Sequence, residues 1–147
     1  MQENVESKVK TQPSRTQKTA PAKQTISLKH INEKELKILI AEDNDSNYSL
    51  VKHILKEYQI TRVVNGVEAV EKVRNEKFDI VLMDMKMPIM GGLEATRKIR
   101  ELNPLIPIIA LTANAFDADR VSAMEAGCNA FLTKPLKKEE LLELFSL

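Results

Sequence analysis

Short apolar runs alternate with longer amphipathic stretches from Leu36 onward. Each run is too short for a helix and is rich in Val, Ile and Leu, a composition that favours buried strands. The runs cover residues 38–41, 60–64, 78–83, 106–111 and 130–132. We therefore predict five strands, with the aspartate at position 84 directly after the third.

The stretches between these runs repeat apolar residues at helical spacing, which predicts amphipathic helices. The expected core-facing residues of the first three helices are Leu50, Val51, Ile54, Leu55 and Tyr58, then Val67, Val70 and Val73, then Leu93, Ile99 and Leu102. Two more helices are predicted over residues 116–126, ended by Gly127, and over residues 137–145. Strands that alternate with helices indicate a parallel sheet covered on both faces, a three-layer αβα fold.

Polar side chains stand at four of the five predicted strand ends. They are Glu42 and Asp43 after the first strand, Asp84 after the third, Thr112 after the fourth and Lys134 after the fifth. Each of them alone has an ordinary explanation, such as a turn or a solvated lysine. In open parallel sheets, however, ligands bind beyond the carboxyl ends of the strands, so these side chains together indicate a site.

The types of side chain indicate which chemistry this site performs. Crowded carboxylates repel one another unless a cation lies between them, and oxygen ligands without His or Cys nearby favour Mg²⁺. A lysine and a threonine hydroxyl are suitable donors to a phosphoryl group. Asp84 is then a metal ligand, a nucleophile or both, and we favour a nucleophile because carboxylates form phosphoanhydrides once the charge is neutralised.

The first 35 residues differ in composition from the rest of the chain. They hold seven Lys/Arg against four Asp/Glu, whereas the remainder holds fifteen against seventeen. They are rich in Gln, Lys, Thr, Ser and Pro, so burial cannot offset the entropy of ordering them. We predict a flexible polar linker over residues 1–35 and one domain over residues 36–147.

Charge and hydropathy narrow the class of protein. Neither part has the basic surface of a nucleic-acid binder, and no apolar run is long enough to span a bilayer. We therefore expect a cytoplasmic protein whose partners include neither nucleic acid nor, for this segment, a membrane. The single cysteine, Cys128, has no metal-ligand neighbours and is predicted to be a small core residue.

Four fragments, "LIAEDND", "IVLMDMKMPIMGG", "IIALTANA" and "FLTKP", together resemble the receiver domains of two-component response regulators and hybrid sensor kinases. The resemblance covers the chain from Leu36 to its end. It implies a flavodoxin-like fold with strand order 2-1-3-4-5, which the alternation of strands and helices alone does not fix. Each fragment by itself is a weak signal, and the specificity comes from their order.

The resemblance also implies a role for each acidic residue of the site. Asp84 is then the phosphorylated aspartate and one ligand of Mg²⁺. Glu42 and Asp43 are the acidic pair that holds the same ion. The main-chain carbonyl of Lys86 completes the ligands that the protein supplies.

The remaining implied roles concern the phosphoryl group and the switch. Thr112 supplies the hydroxyl that turns towards the phosphoryl oxygens, and Lys134 pairs with them. Phe131 is the aromatic switch residue, and a cis peptide is expected between Lys134 and Pro135.

The function implied is that of a phosphoacceptor in a phosphorelay. A histidine kinase or histidine phosphotransfer domain would supply the phosphoryl group, and the receiver would assist its own phosphorylation and dephosphorylation. The face formed by the fourth helix, fifth strand and fifth helix would then change shape, and that face also offers a route to a homodimer. The motifs and the polar linker favour a receiver cut from a hybrid sensor histidine kinase, so the parent chain would be a kinase.

Other functions remain open from the sequence. A stand-alone response regulator has the same motifs, and a receiver that only docks proteins would need no phosphate. An aspartyl phosphatase would need an acid where Lys86 stands. A phosphohistidine carrier could use His53, although the sequence places His53 on the first helix, away from the acidic residues.

Overall fold

The computed structural model describes residues 35–114 and 117–145, which form a five-stranded parallel sheet flanked by five helices. The strand order is β2-β1-β3-β4-β5. The strands are β1 Lys37–Ala41, β2 Gln59–Val63, β3 Ile80–Asp84, β4 Ile108–Thr112 and β5 Ala130–Thr133. The helices are α1 Asp45–Ile54, α2 Gly66–Asn75, α3 Gly92–Leu102, α4 Asp117–Ala126 and α5 Lys138–Phe145. The predicted three-layer fold and its strand order 2-1-3-4-5 are confirmed.

Successive residues of the central strands feed two separate cores. In β1, Ile38 and Ile40 pack with the apolar residues of α1 and α5 on one side of the sheet. Leu39 and Ala41 pack with those of α2, α3 and α4 on the other side. Because helices cover both faces, β1, β3 and β4 are apolar at nearly every position instead of alternating with polar residues.

Strands β3 and β4 begin two residues later than the apolar runs predicted, and both include the polar residue at their end. Phe78 and Ile106 are buried but precede the strands. Before β3, the Asp79 carboxylate accepts a hydrogen bond from the main-chain N–H of Lys37 at 2.8 Å. A side chain thus takes a contact that a strand backbone would make. Because Asp84 and Thr112 are the last residues of β3 and β4, the sheet fixes their backbone positions.

Leu50, Val67 and Leu102 were expected in the core but are about 40% exposed. The predicted core-facing sides of the helices were therefore partly wrong. In α2 the buried residues are Gly66, Ala69 and Val70, of which only Val70 was predicted. A Cβ on Gly66 would lie 2.6 Å from the carbonyl oxygen of Met90, so this end of α2 packs too closely for large side chains. Hydrophobicity alone points to the larger residues and misses this contact.

Several smaller predictions have mixed outcomes. Cys128 is buried as expected, and burial raises the pKa of its thiol to about 11, which suits an unreactive core residue. Gly127 ends α4 with φ 119°. Residues 1–34, 115–116 and 146–147 lie outside the described residues, so the linker and the start of α4 at Phe116 stay predictions. No helix of the described part has the length and apolarity needed to cross a bilayer.

The first turn of α3 is pressed against the backbone of Asp84. A Cβ on Gly92 would overlap the Asp84 carbonyl oxygen and would lie 2.7 Å from Cε of Met85. A Cβ on the neighbouring Gly91 would meet only the Met85 carbonyl oxygen, at 3.2 Å. Gly92 is therefore required for the close approach of α3 to the end of β3.

We expect Gly92→Ala to lower the free energy of unfolding by about 2 kcal/mol, because overpacking against a fixed backbone forces α3 to shift. Gly91→Ala is the matched control and should lose clearly less. Urea unfolding followed by circular dichroism measures both. Equal losses in the two variants would contradict the close packing of α3 on Asp84.

Candidate metal site at the carboxyl edge of the sheet

Three carboxylates meet at the point where the strand order of the sheet reverses. The chain leaves β1 for β2 on one side and enters β3 on the other, so a crevice opens beyond the ends of β1 and β3. Glu42 and Asp43 follow β1, and Asp84 is the last residue of β3. One oxygen from each carboxylate lies within 4.8 Å of the others. The structure thus brings together the three acids that the sequence singled out.

The three carboxylates differ in their access to water. Glu42 is fully buried, Asp84 is buried and Asp43 is exposed. Glu42 Oε2 accepts a hydrogen bond from the Asn44 N–H at 3.1 Å. Among the described residues, the second oxygen, Oε1, is contacted only by Lys134 Nζ, at 2.9 Å. A buried carboxylate oxygen with one such partner can still accept a second positive group.

Lys134 reaches into this crevice from the end of β5 and joins the two buried acids. Its Nζ lies 2.9 Å from Glu42 Oε1 and 3.2 Å from Asp84 Oδ1. The main-chain N–H of Lys134 donates to the Thr112 carbonyl at 2.8 Å, which fixes the start of the loop. The expected cis peptide between Lys134 and Pro135 is present.

Burial and, after it, the negative charge of Glu42 raise the pKa of Asp84 to about 6. Lys134 and the main-chain N–H of Lys86, which donates to Asp84 Oδ1 at 3.2 Å, oppose this shift. Burial would lower the pKa of Lys134, but its contacts with Glu42 and Asp84 outweigh burial and raise it. The site is therefore short of positive charge.

The donor set fits a hard divalent cation. All three side chains are carboxylates, and within the described part of the chain Oε1 of the buried Glu42 has a single positive partner, Lys134. Mg²⁺ is bound by few carboxylates together with waters and phosphate oxygens. Lys86 keeps its side chain exposed while its main chain touches Asp84, which agrees with a main-chain role. That its carbonyl is a ligand stays a prediction.

The two predicted switch residues lie on neighbouring strands, Thr112 at the end of β4 and Phe131 on β5. Thr112 is buried, and its hydroxyl donates to the Asn114 carbonyl at 3.1 Å and accepts from the Asn114 N–H at 3.2 Å. Phe131 is half-buried, and the Arg120 guanidinium stacks 5.2 Å from the centre of its ring. The hydroxyl of Thr112 is thus held by its own loop.

Arg62 on β2 is a site residue that the sequence analysis missed. Its Nε donates to the Glu42 carbonyl at 3.0 Å, and a second nitrogen donates to Asp45 Oδ1 at 2.9 Å. The guanidinium also lies 4.5 Å from the centre of the Tyr48 ring. The sequence signal was an arginine inside a predicted strand, and the register that pairs it with Ile40 comes from the structure.

A shallow groove between α1 and the loop after β5 leads from the surface to Glu42 and Lys134. Its lining is formed by Glu42, Asn47, Leu50, Val51, Lys134, Pro135 and Leu136. Leu50 is one of the exposed apolar residues, so the groove has an apolar wall beside a charged floor. His53 is exposed on the same helix and is not a member of the acidic cluster.

Comparison with known proteins gives a consistent result. The family model for the response regulator receiver domain matches residues 38–146. Hybrid signal transduction histidine kinase G of Dictyostelium discoideum is 39% identical over 126 residues, which cover 81% of this chain and 4% of that protein. The autoinducer 2 sensor kinase/phosphatase LuxQ of Vibrio vulnificus is 42% identical over 109 residues, 72% of this chain and 13% of that protein. The chain thus spans a small part of these relatives.

A solved structure extends the match to three dimensions. The receiver domain of a sensor histidine kinase from Pseudomonas aeruginosa is 37% identical, covers 76% of this chain and 99% of its own, and superposes with a TM-score of 0.70. That structure has a magnesium ion coordinated in its active-site cleft. Sequence, fold and family agree, and the chain therefore belongs to the response regulator receiver domain family of two-component signalling, with homologues among the receivers of hybrid histidine kinases.

Proposed function

We propose that this receiver accepts a phosphoryl group from a phosphohistidine onto Asp84, with Mg²⁺ bound beside it. The observation that carries the proposal is the position of Lys134 Nζ, 2.9 Å from Glu42 and 3.2 Å from Asp84, so that one cation serves two buried carboxylates. Two buried acids with one lysine form a site that requires more positive charge. The magnesium ion in the related receiver supports the choice of metal.

The chemistry is a direct phosphoryl transfer. A carboxylate oxygen of Asp84 attacks phosphorus, an O–P bond forms, and the N–P bond breaks with its electron pair returning to the histidine ring. Mg²⁺, held by Glu42, Asp43 and Asp84 with the Lys86 carbonyl, would neutralise charge on the phosphoryl oxygens. Lys134 would exchange its contact with Asp84 for one with the phosphoryl group. Later attack by water on the acyl phosphate breaks the O–P bond, releases inorganic phosphate and restores the carboxylate.

The switch follows from competition for the Thr112 hydroxyl. That hydroxyl now donates to the Asn114 carbonyl, and a charged phosphoryl oxygen is a stronger acceptor than a neutral carbonyl. Rotation of Thr112 would open space for Phe131, which would leave its stacking contact with Arg120. The face of α4, β5 and α5 would then change shape, and a homodimer through this face belongs to the same proposal.

Partner and context follow from the groove and from the relatives. The apolar wall at Leu50 and the charged floor at Lys134 suit a helical partner that presents a phosphohistidine, either a histidine kinase or a histidine phosphotransfer domain. The likeness to hybrid kinases supports a parent chain of that type. Residues 1–35 would then be the linker to it and residues 36–147 the receiver, and the domain would work in the cytoplasm.

Asp84→Asn should abolish labelling by acetyl phosphate in the presence of Mg²⁺, because the amide cannot attack phosphorus. Asp119→Asn, which changes an exposed carboxylate on α4, should be labelled like the unchanged chain. Phosphate-affinity electrophoresis measures the labelled fraction. The label should be released by hydroxylamine and withstand acid, and an acid-labile label would instead indicate a phosphohistidine.

The metal-free chain should lose stability as pH rises from about 4 to about 7. The pKa of Asp84 is raised from the ordinary value of 3.8 to about 6 in the fold, so its contribution is full at pH below 3.8 and disappears as pH passes 6. The difference corresponds to about 3 kcal/mol. Urea unfolding in a chelator at several pH values measures it.

Asp84→Asn is the matched variant for this pH dependence, because it cannot ionise. At pH 7 it should be more stable than the unchanged chain by about 1–3 kcal/mol, and the gap should close towards pH 4. Asp119→Asn should follow the unchanged chain. A variant at position 84 that is less stable at every pH would contradict the repulsion between the buried acids.

Lys134→Ala should retain Mg²⁺ binding, because the lysine is not a ligand and its charge opposes that of the ion. It should weaken the link between phosphorylation and the switch, since no cation would hold the phosphoryl group. Matched calorimetric titrations measure Mg²⁺ binding, and NMR shifts of Phe131 with beryllofluoride measure the switch. Full shifts at Phe131 in the variant would contradict this role.

A further inference from the structure

Arg62 and its strand hold both main-chain groups of Glu42. The Glu42 N–H donates to the Val63 carbonyl at 3.0 Å, and the Glu42 carbonyl accepts from Arg62 Nε at 3.0 Å. That carbonyl belongs to the peptide that joins Glu42 to Asp43. Its orientation therefore decides how the two side chains project into the crevice.

The same guanidinium holds a further acid away from the cluster. The segment "EDND" contains Asp45 as well as Glu42 and Asp43, but Asp45 is not one of the three acids that converge. Its carboxylate pairs with Arg62 at 2.9 Å and its side chain is 93% exposed. The Arg62 side chain is only 24% exposed and lies against the Tyr48 ring, so its direction is well determined.

We propose that Arg62 is a positioning residue that sets the Mg²⁺ affinity of this receiver by fixing the Glu42–Asp43 peptide and by keeping Asp45 in its own ion pair. The inference rests on the proposed Mg²⁺ site. Groups that orient metal ligands commonly change metal affinity by about 10–100-fold when removed. Arg62 fills this role through a main-chain carbonyl.

Electrostatics and positioning predict opposite results for the loss of Arg62. If the arginine acted only through its charge, removing it would strengthen the binding of a cation, because like charges repel. If it positions the loop, removing it weakens binding although the repulsion has gone. A lysine keeps the charge but lacks the planar fork that reaches two acceptors at once, so it should not restore affinity.

Tyr48 offers a local probe for the experiment. The chain has two tyrosines and no tryptophan, so Tyr58→Phe leaves Tyr48 as the one fluorescent residue of this kind. In that background we would titrate MgCl₂ into the full chain and into Arg62→Met, Arg62→Lys and Arg74→Met. Tyrosine fluorescence and calorimetry report binding, and circular dichroism in a chelator checks that each variant is folded. Arg74 is an exposed arginine of α2 that pairs with Glu71, and serves as the control for charge.

We expect Arg62→Met to bind Mg²⁺ about tenfold more weakly, Arg62→Lys to be weakened as well and Arg74→Met to be unchanged. Should Arg62→Met fail to fold, Arg62→Lys alone decides between positioning and charge. Equal or tighter binding in Arg62→Met, or full affinity in Arg62→Lys, would overturn the positioning role while the Mg²⁺ site stands. A background protein that binds no Mg²⁺ would overturn this inference together with the proposed function.

Discussion

The repulsion between two buried carboxylates, and its partial relief by one lysine, is the constraint on which the site depends. Glu42 directly follows β1 and Asp84 ends the neighbouring β3, so the sheet prevents them from moving apart. Lys134 lies between them but leaves the pKa of Asp84 raised to about 6. Buried charges of this kind destabilise a fold unless they are compensated. The receiver therefore has an excess of negative charge at the point where its chemistry would take place.

The neighbouring elements each hold one part of this arrangement. β2 fixes the main chain of Glu42 through Val63 and Arg62, and the loop after β5 brings Lys134 into the crevice. Gly92 allows α3 to pack against the end of β3. The acids are thus held from three directions. A change of charge among them would therefore act on elements that are packed rigidly around the site.

Much of this arrangement could be predicted from the sequence, because parallel strands bring their carboxyl ends to one edge. The strand count followed from the short apolar runs, and the cluster of Glu42, Asp43 and Asp84 followed from that rule. The contact of Arg62 with a carbonyl 20 residues earlier depends on the β1–β2 register, which local patterns do not contain. Small residues at the α2–α3 contact were missed because packing distance, and not hydrophobicity, selects them.

The titration of the Asp84 carboxyl carbon by NMR tests the central claim most directly. Without metal, its midpoint should lie near pH 6, well above the ordinary value of 3.8. With saturating Mg²⁺ the midpoint should fall, because the ion favours the charged carboxylate. A midpoint near 3.8 without metal, or one that Mg²⁺ leaves unchanged, would contradict a site built on crowded carboxylates that a divalent cation relieves.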